Sequence, residues 1–146
     1  MRASGDYLSN REWLRDAVSG KDLILCHASA LEYHELFVGY LNEREIDVYA
    51  KKKGQEENLI YHVVDNFDNI DYIQDGNVMV TTIDQTINDM LHDFDNTDVQ
   101  ALTEALAEYY YAHNNSFDGL NIKPENLTRF NEVKEWAVNY YDEVTV

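Results

Sequence analysis

The sequence predicts an α+β fold, in which a small, mainly antiparallel sheet of four strands packs with two N-terminal and three C-terminal helices. Three observations support this prediction. Apolar residues recur at helical spacing near both ends of the chain, whereas residues 46–81 contain short β-rich segments, some with a period of two. The pair Asp75-Gly76 separates two of these segments and tolerates the positive φ angles of a tight hairpin turn. Serine or threonine with an acid or amide three residues later marks three helix starts.

The first helix is expected to open with a capping box formed by Ser9 and Glu12. Apolar residues then fall on one side of the segment as far as Val18, which is typical of a short amphipathic helix. We expect residues 1–22 to form a helical extension of a single domain that covers residues 1–146, because no linker divides the chain.

A second helix is predicted from His27 to Gly39, since apolar residues keep the helical spacing and a glycine can end the helix. It follows a brief apolar run. The four strands are predicted where side chains alternate or where β-branched and aromatic residues cluster. These segments are residues 46–50, 59–64, 70–74 and 78–81.

Three helices are expected after the sheet. The first is capped by Thr82, whose hydroxyl accepts from the amide of Gln85 while the Gln85 side chain reaches back. The second opens with an equivalent pair, Thr97 and Gln100. The third has Pro124 in its first turn, where proline is tolerated.

Charge and cysteine content narrow the classes of function. The 146 residues include 28 acidic and 11 basic side chains, and the formal net charge of -17 repels nucleic-acid backbones and anionic membranes. We therefore expect no direct nucleic-acid binding and no membrane association. Cys26 is the single cysteine, which excludes an internal disulfide. With no apolar leader and no long apolar run, the expected location is the reducing cytoplasm.

Histidines and polar helix residues are the candidates for chemistry. His27 and His34 lie seven residues apart, so a helix would place them on one face, beside Cys26. We expect packed or hydrogen-bonded histidines and no metal or other cofactor, since no further ligand has a recognisable spacing. Thr86 and Asp89 are interpreted as structural, because polar side chains commonly bond to backbone. The sequence has no phosphate-binding loop and no nucleophile elbow, so we expect no enzyme.

Two separated motifs connect the chain to a known family. The family patterns read roughly S-H-x-S-A-L-x-x-H-G-L and, after a hairpin, G-I-x-V-T-S-P-E-R-T-L-x-D-L-L. The residues at matching positions include His27, Ser29, Leu31 and His34 in the first motif and Thr81, Thr86, Asp89 and Leu91 in the second. In these residues the chain resembles the C-terminal domain of the AbiEi family, the antitoxins of type IV toxin-antitoxin and phage-abortive systems.

The chain departs from the family pattern at both motifs. Glu35 stands where the first motif has glycine. Ile83-Asp84-Gln85 replaces the Pro-Glu-Arg of the second motif, so the role of that arginine is not carried over. Family members normally begin with a winged helix that reads DNA, and the residues before His27 accommodate only one helix. We therefore expect this chain to lack the DNA-binding half.

The resemblance implies a non-catalytic, antitoxin-like domain that acts through protein contacts or regulation. Its implied partner is the nucleotidyltransferase-type toxin of the same system or a full-length relative, with a homodimer as an alternative. Because tyrosine and tryptophan offer large contact areas, the predicted partner surface consists of Tyr111, Trp136, Tyr140 and Tyr141. The alternative function is an acidic decoy, whose carboxylates imitate DNA phosphates and occupy the basic groove of a nuclease or repressor.

Overall fold

A single mixed sheet of five strands packs with five α-helices in a computed structural model that describes residues 10–38 and 45–140. The α-helices are α1 (Asn10–Val18), α2 (His27–Tyr33), α3 (Ile83–His92), α4 (Val99–Ala112) and α5 (Leu127–Val138). The strands are β1 (Leu23–Leu25), β2 (Ile46–Ala50), β3 (Leu59–Val63), β4 (Tyr72–Asp75) and β5 (Val78–Thr81). Among these described segments, no helix is both long and apolar enough to cross a membrane. The predicted α+β class is confirmed.

The strand order is β3-β2-β1-β5-β4, with β1 at the centre. β1 pairs antiparallel with β2 and parallel with β5, β2 pairs parallel with β3, and β4 and β5 form an antiparallel hairpin. The predicted sheet of four mainly antiparallel strands over residues 46–81 is therefore wrong in detail. It omits the central strand, which lies between the first two helices, and both parallel pairs. Three residues are too few to show a period, so β1 appears in the sequence only as an apolar run.

The hairpin of β4 and β5 is confirmed, but its turn lies one residue later than predicted. Asp75 pairs with Val78 as the last residue of β4, so the turn consists of Gly76 and Asn77. Gly76 has a φ of 63°, a conformation that glycine adopts without steric cost. The Asp75 carboxylate accepts a hydrogen bond from the Tyr33 hydroxyl, which ties the hairpin to α2.

The fold has two apolar cores, and α2 contributes side chains to both. One core lies between the sheet and helices α1 and α2, and it contains Leu14, Tyr33 and Val48. The other lies among α2, α3, α4 and α5, and it contains Leu31 and Leu106. Each fully buried leucine contributes roughly 1.5–3 kcal/mol of transfer free energy. Because Tyr33 faces one core and Leu31 the other, a single helical turn joins the two.

Thr82 caps α3 as predicted, since its hydroxyl accepts a hydrogen bond from the amide of Gln85 at 3.1 Å. The second half of the predicted capping box is wrong. The Gln85 side chain instead accepts from the amide of Asp71 at 3.0 Å and donates to the Asp89 carboxylate at 2.8 Å. The glutamine therefore ties α3 to the segment that precedes β4.

The start of α4 also differs from the prediction. Asp98 is the N-cap, one residue after the predicted Thr97, and its carboxylate accepts from the amide of Ala101 at 3.0 Å. Aspartate and threonine are both favourable N-caps, so the sequence does not decide between neighbours. Ser9, the predicted cap of the first helix, and Gly39, the predicted end of the second, lie outside the described residues.

α2 ends at Tyr33, so the predicted continuation of this helix to Gly39 is wrong, because the chain turns sharply at Glu35. Glu35 has a φ of 63°, in the left-handed region. The amide of Glu35 donates to the carbonyl of Glu32 at 3.0 Å, and the amide of Leu36 donates to the carbonyl of Leu31 at 2.9 Å. These two bonds define a Schellman motif, whose left-handed residue is usually glycine.

Replacing Glu35 by glycine is expected to stabilise the fold by about 1 kcal/mol. A residue with a Cβ atom costs roughly 1–2 kcal/mol in the left-handed region, and the greater freedom of glycine in the unfolded chain offsets part of that gain. Denaturant unfolding gives the free energy of unfolding for each variant. Glu35→Ala is the matched control, because it removes the same carboxylate but keeps Cβ. Equal free energies of unfolding for the two variants would contradict the left-handed assignment.

Candidate functional site

The parallel pairing of β1 with β5 brings the two motif segments together. Leu25 pairs with Val80, so the residues that follow these strands leave the sheet at the same edge. α2 begins there at His27, and α3 begins there at Ile83. The two helices pack against each other.

Hydrogen bonds join the two segments at this edge. The Nε2–H of His34 donates to the carbonyl of Thr81 at 2.8 Å. The hydroxyls of Thr81 and Thr86 are 2.6 Å apart, and the Thr86 hydroxyl donates to the carbonyl of Thr82 at 2.7 Å. The Thr81 hydroxyl is therefore the donor to Thr86. Both threonine side chains are fully buried, so each bond satisfies a group that is costly to leave unpaired.

The other motif residues also contact their surroundings. The Ser29 hydroxyl accepts a hydrogen bond from the amide of Asp47 at 2.9 Å, which joins α2 to β2. The Asp89 carboxylate accepts from the hydroxyl of Tyr49 at 2.7 Å, which joins α3 to the same strand. The two leucines of the motifs are buried in the helical core; they are Leu31 and Leu91. These contacts agree with a structural role for the motif residues.

A second polar cluster lies beside these bonds, on the face of the sheet opposite α1. Asp47 and Tyr49 alternate with the buried residues of β2, and His62 of β3 is in register with Tyr49. The Nε2 atom of His62 lies 3.0 Å from Oδ1 of Asp47. His27, at the start of α2, stacks on His62 with the ring centroids 4.1 Å apart. We call Cys26, His27, Asp47 and His62 the histidine cluster.

His27 has three unusual features. Its φ of 52° lies in the left-handed region, which costs about 1–2 kcal/mol for a residue with a Cβ atom. Its Nδ1 atom is buried and has no hydrogen-bond partner among the described residues. Burial lowers the pKa of His27, and the neighbouring His62 lowers it further, against the opposing effect of the Asp47 carboxylate. The imidazole is therefore neutral at neutral pH.

Cys26 completes the cluster. Its Sγ atom and one ring nitrogen each of His27 and His62 lie within 4.8 Å of one another, a group that could hold a metal ion. The thiol is fully buried, and burial raises the pKa of Cys26, with the carboxylates of Asp47 and Asp89 adding to the effect. A buried, protonated thiol is inert towards external electrophiles, so Cys26 is not placed to act as a nucleophile.

A cavity of about 300 Å³ opens beside the histidine cluster. His27, Asp47 and His62 line it, together with the acidic residues Glu45 and Asp98. Carboxylates around a partly enclosed cavity focus a negative potential in it. The cavity therefore favours cations over anions.

The sequence identifies only part of the histidine cluster. It draws attention to Cys26 and His27 but pairs them with His34, which instead bonds to β5. The second histidine of the cluster is His62, which the parallel pairing of β2 with β3 brings there. No short-range sequence pattern predicts a parallel pairing. The alternation of Asp47 with apolar residues in β2 is a sequence signal that could have shown which face of the sheet carries the cluster.

The predicted partner surface lies at the C-terminal ends of α4 and α5. The side chains of Tyr111 and Trp136 are exposed. The Tyr111 hydroxyl donates to the carbonyl of Val138 at 3.3 Å, which brings the ends of the two helices together. Tyr140 is half-buried, and its hydroxyl donates to a carboxylate of α4 at 3.4 Å. Tyr141 lies outside the described residues.

No protein-family model matches this sequence, and no curated protein matches it either. The resemblance to the AbiEi family therefore stands on the residues of the two motifs. What the structure adds is the set of contacts that these residues make with one another.

Replacing Thr86 by valine is expected to lower the free energy of unfolding by about 1–3 kcal/mol, because the buried Thr81 hydroxyl then has no acceptor in Thr86. Denaturant unfolding followed by circular dichroism measures the change. Thr128→Val is the matched control, since Thr128 is exposed on α5 and the substitution should cost less than about 0.5 kcal/mol. A loss for Thr86→Val no larger than that of the control would contradict the hydroxyl pair.

His34 is expected to make stability depend on pH. Burial lowers the pKa of His34 and the Arg11 guanidinium lowers it further, whereas the hydrogen bond to the Thr81 carbonyl raises it. Since the folded-state pKa lies below the unfolded value of about 6.5, the unfolded chain binds the proton more readily. The stabilisation is therefore complete above pH about 6.5 and is lost as the pH falls through the folded-state pKa.

Replacing His34 by glutamine, which keeps a donor for the Thr81 carbonyl, should make the free energy of unfolding fall less steeply below pH about 6.5. Urea unfolding at a series of pH values measures that slope. His92→Gln is the control for the substitution itself, because His92 is an exposed histidine in the last turn of α3. An unchanged slope in His34→Gln would show that His34 titrates equally in both states.

Proposed function

We propose that this chain is an antitoxin-like, non-catalytic domain of a type IV toxin-antitoxin or phage-abortive system, acting in the cytoplasm through protein contacts. The observation that carries the proposal is the direct connection between the two motif segments. His34 bonds to Thr81, and Thr81 bonds to Thr86, so residues that the family pattern selects in separate stretches touch one another. Such contacts are expected when a motif is retained because a fold requires it.

The conformation of Glu35 supports the same kinship. The family pattern has glycine at this position, and the φ of 63° at Glu35 is one that glycine adopts most readily. The backbone here therefore has the shape that the family glycine favours, although the side chain differs. The departure from the pattern changes the side chain without changing the way α2 ends.

A non-catalytic role agrees with the state of four polar side chains that bond to neighbouring elements or are buried. Burial raises the pKa of Tyr49, and its hydroxyl is held by the Asp89 carboxylate. Thr86 donates to backbone, and Cys26 is fully buried. General acid-base or nucleophilic chemistry needs a group that can reach a substrate and has a pKa near the working pH. These four side chains instead hold elements together.

The proposed partner is a nucleotidyltransferase-type toxin of the same system, or a full-length relative that carries the same domain. Trp136 is 50% exposed and Tyr111 is 40% exposed, and both residue types dominate the binding energy of many protein interfaces. Tyr140 lies two residues beyond the end of α5 and is half-buried, so it contributes part of its ring to this predicted surface. A second copy of the chain is the other partner that suits this surface.

The acidic decoy is the second candidate. Asp65, Asp68 and Asp71 are all exposed along the connection between β3 and β4, in a chain of net charge -17. Exposed carboxylates at regular spacing are the feature that a phosphate mimic needs. A decoy of this kind binds a basic groove mainly through charge, so its affinity falls steeply as salt rises.

Loss of the aromatic surface is expected to weaken partner binding. The first test is the neighbouring reading frame, where the proposal expects a nucleotidyltransferase, and that protein is the binding probe. The double variant Tyr111→Ala and Trp136→Ala should weaken its capture at least about tenfold, since an interface hot spot contributes about 2 kcal/mol or more. Leu127→Ala is the matched control, because Leu127 is 44% exposed on α5. It lies about two and a half turns before Trp136, and therefore on the opposite face of the helix.

Calorimetric titration at two salt concentrations separates the two candidates. Between about 0.1 M and 1 M salt the screening length falls from roughly 10 Å to 3 Å, so an aromatic contact should persist and a decoy contact should not. Unchanged capture and unchanged oligomeric state in the double variant would contradict the proposed surface. A neighbouring frame that encodes no nucleotidyltransferase would contradict the antitoxin interpretation.

A further inference from the structure

Three metal-ligating side chains from two parts of the chain, the adjacent residues Cys26 and His27 at the start of α2 and His62 in β3, converge beside the cavity of about 300 Å³. The Sγ atom of Cys26 and one ring nitrogen each of His27 and His62 lie within 4.8 Å of one another. Thiolate sulfur and imidazole nitrogen are ligands that zinc prefers. We infer that these three side chains bind Zn²⁺ or a similar transition-metal ion, with Asp47 holding the His62 ring in position.

The Nδ1 atom of His27 is a second and independent observation. It is buried and makes no hydrogen bond within the part of the chain that the structure describes. Buried polar atoms in proteins normally have a partner, and a metal ion is the partner that suits an unprotonated imidazole nitrogen. The backbone at His27 is in the left-handed region, and strain of this kind tends to be retained at functional sites.

Asp47 supplies the outer support that metal-binding histidines commonly have. Its Oδ1 atom is 3.0 Å from Nε2 of His62, which leaves Nδ1 of that ring available to the ion. A carboxylate bonded in this way fixes the orientation of the ring and makes it a stronger ligand. The adjoining cavity leaves room for a water molecule as the fourth ligand, as in zinc sites with three protein ligands.

Binding requires the rings of His27 and His62 to turn out of their stacked arrangement, because their planes are only 12° apart and an imidazole nitrogen binds a metal within the plane of its ring. Zinc–sulfur and zinc–nitrogen bonds of about 2.3 Å and 2.0 Å place tetrahedral ligands roughly 3.5 Å apart. The side chain of His62 is 31% exposed, so its ring can move towards Cys26 without repacking the core. The ion replaces the proton of the Cys26 thiol, so its affinity rises with pH. The acidic lining of the cavity attracts the cation to this position.

Cobalt titration of the reduced, full-length chain tests the inference. Co²⁺ in the site should give the visible bands of a tetrahedral complex and a near-ultraviolet thiolate-to-cobalt charge-transfer band, and Zn²⁺ should displace it. Cys26→Ser should remove the charge-transfer band, and His62→Gln should weaken binding at least about tenfold. Asp47→Asn should weaken it about 10–100-fold. His92→Gln is the control, because this exposed histidine lies outside the cluster.

A second measurement keeps the test decisive if Cys26→Ser does not fold. Zn²⁺ should raise the midpoint of thermal unfolding of the wild type and of His92→Gln, but not of His62→Gln. A folded wild-type chain that gives no charge-transfer band and no thermal shift with micromolar metal overturns the inference. Cobalt binding without the sulfur band also overturns it, since Cys26 would then not be a ligand. Neither readout involves a toxin, so the outcome is independent of the proposed antitoxin function.

Discussion

The parallel pairing of β1 with β5 is the constraint on which the rest of the structure depends. β1 is only three residues long, yet it lies at the centre of the sheet, between β2 and β5. Because β1 and β5 run in the same direction, α2 and α3 both start at one edge. The bonds between the motif segments, and the histidine cluster beside them, both follow from that shared edge.

α2 connects the stability of the fold with the candidate site. Its middle supplies Tyr33 to one core and Leu31 to the other. The backbone has a left-handed conformation at both ends of the helix, at His27, its first residue, and at Glu35, two residues after its last. The ring of His27 stacks on His62, and His34, next to Glu35, bonds to Thr81 of β5. The strain at both ends is therefore tied to contacts that position the helix.

The features that the sequence predicts correctly are those determined by neighbouring residues. The Thr82 cap of α3 and the hairpin of β4 and β5 each depend on a few adjacent positions, and both are confirmed. β1 is distant in the chain from the strands that pair with it. β2 and β3 are parallel, so no tight turn with characteristic residues joins them. The same reason explains why the candidate site is only partly predictable. Cys26 and His27 are adjacent in the sequence, whereas the pairing of strands in the sheet brings His62 to them.

The most direct test of this arrangement is the register of β1 against β5, measured by NMR as cross-strand nuclear Overhauser effects in the isotope-labelled chain. The parallel pairing predicts contacts between Ile24 and Met79 and between Leu25 and Val80. It also predicts contacts from the His34 ring to Thr81. An antiparallel register, or a β1 strand paired with β2 alone, would contradict the shared edge and separate the two motif segments.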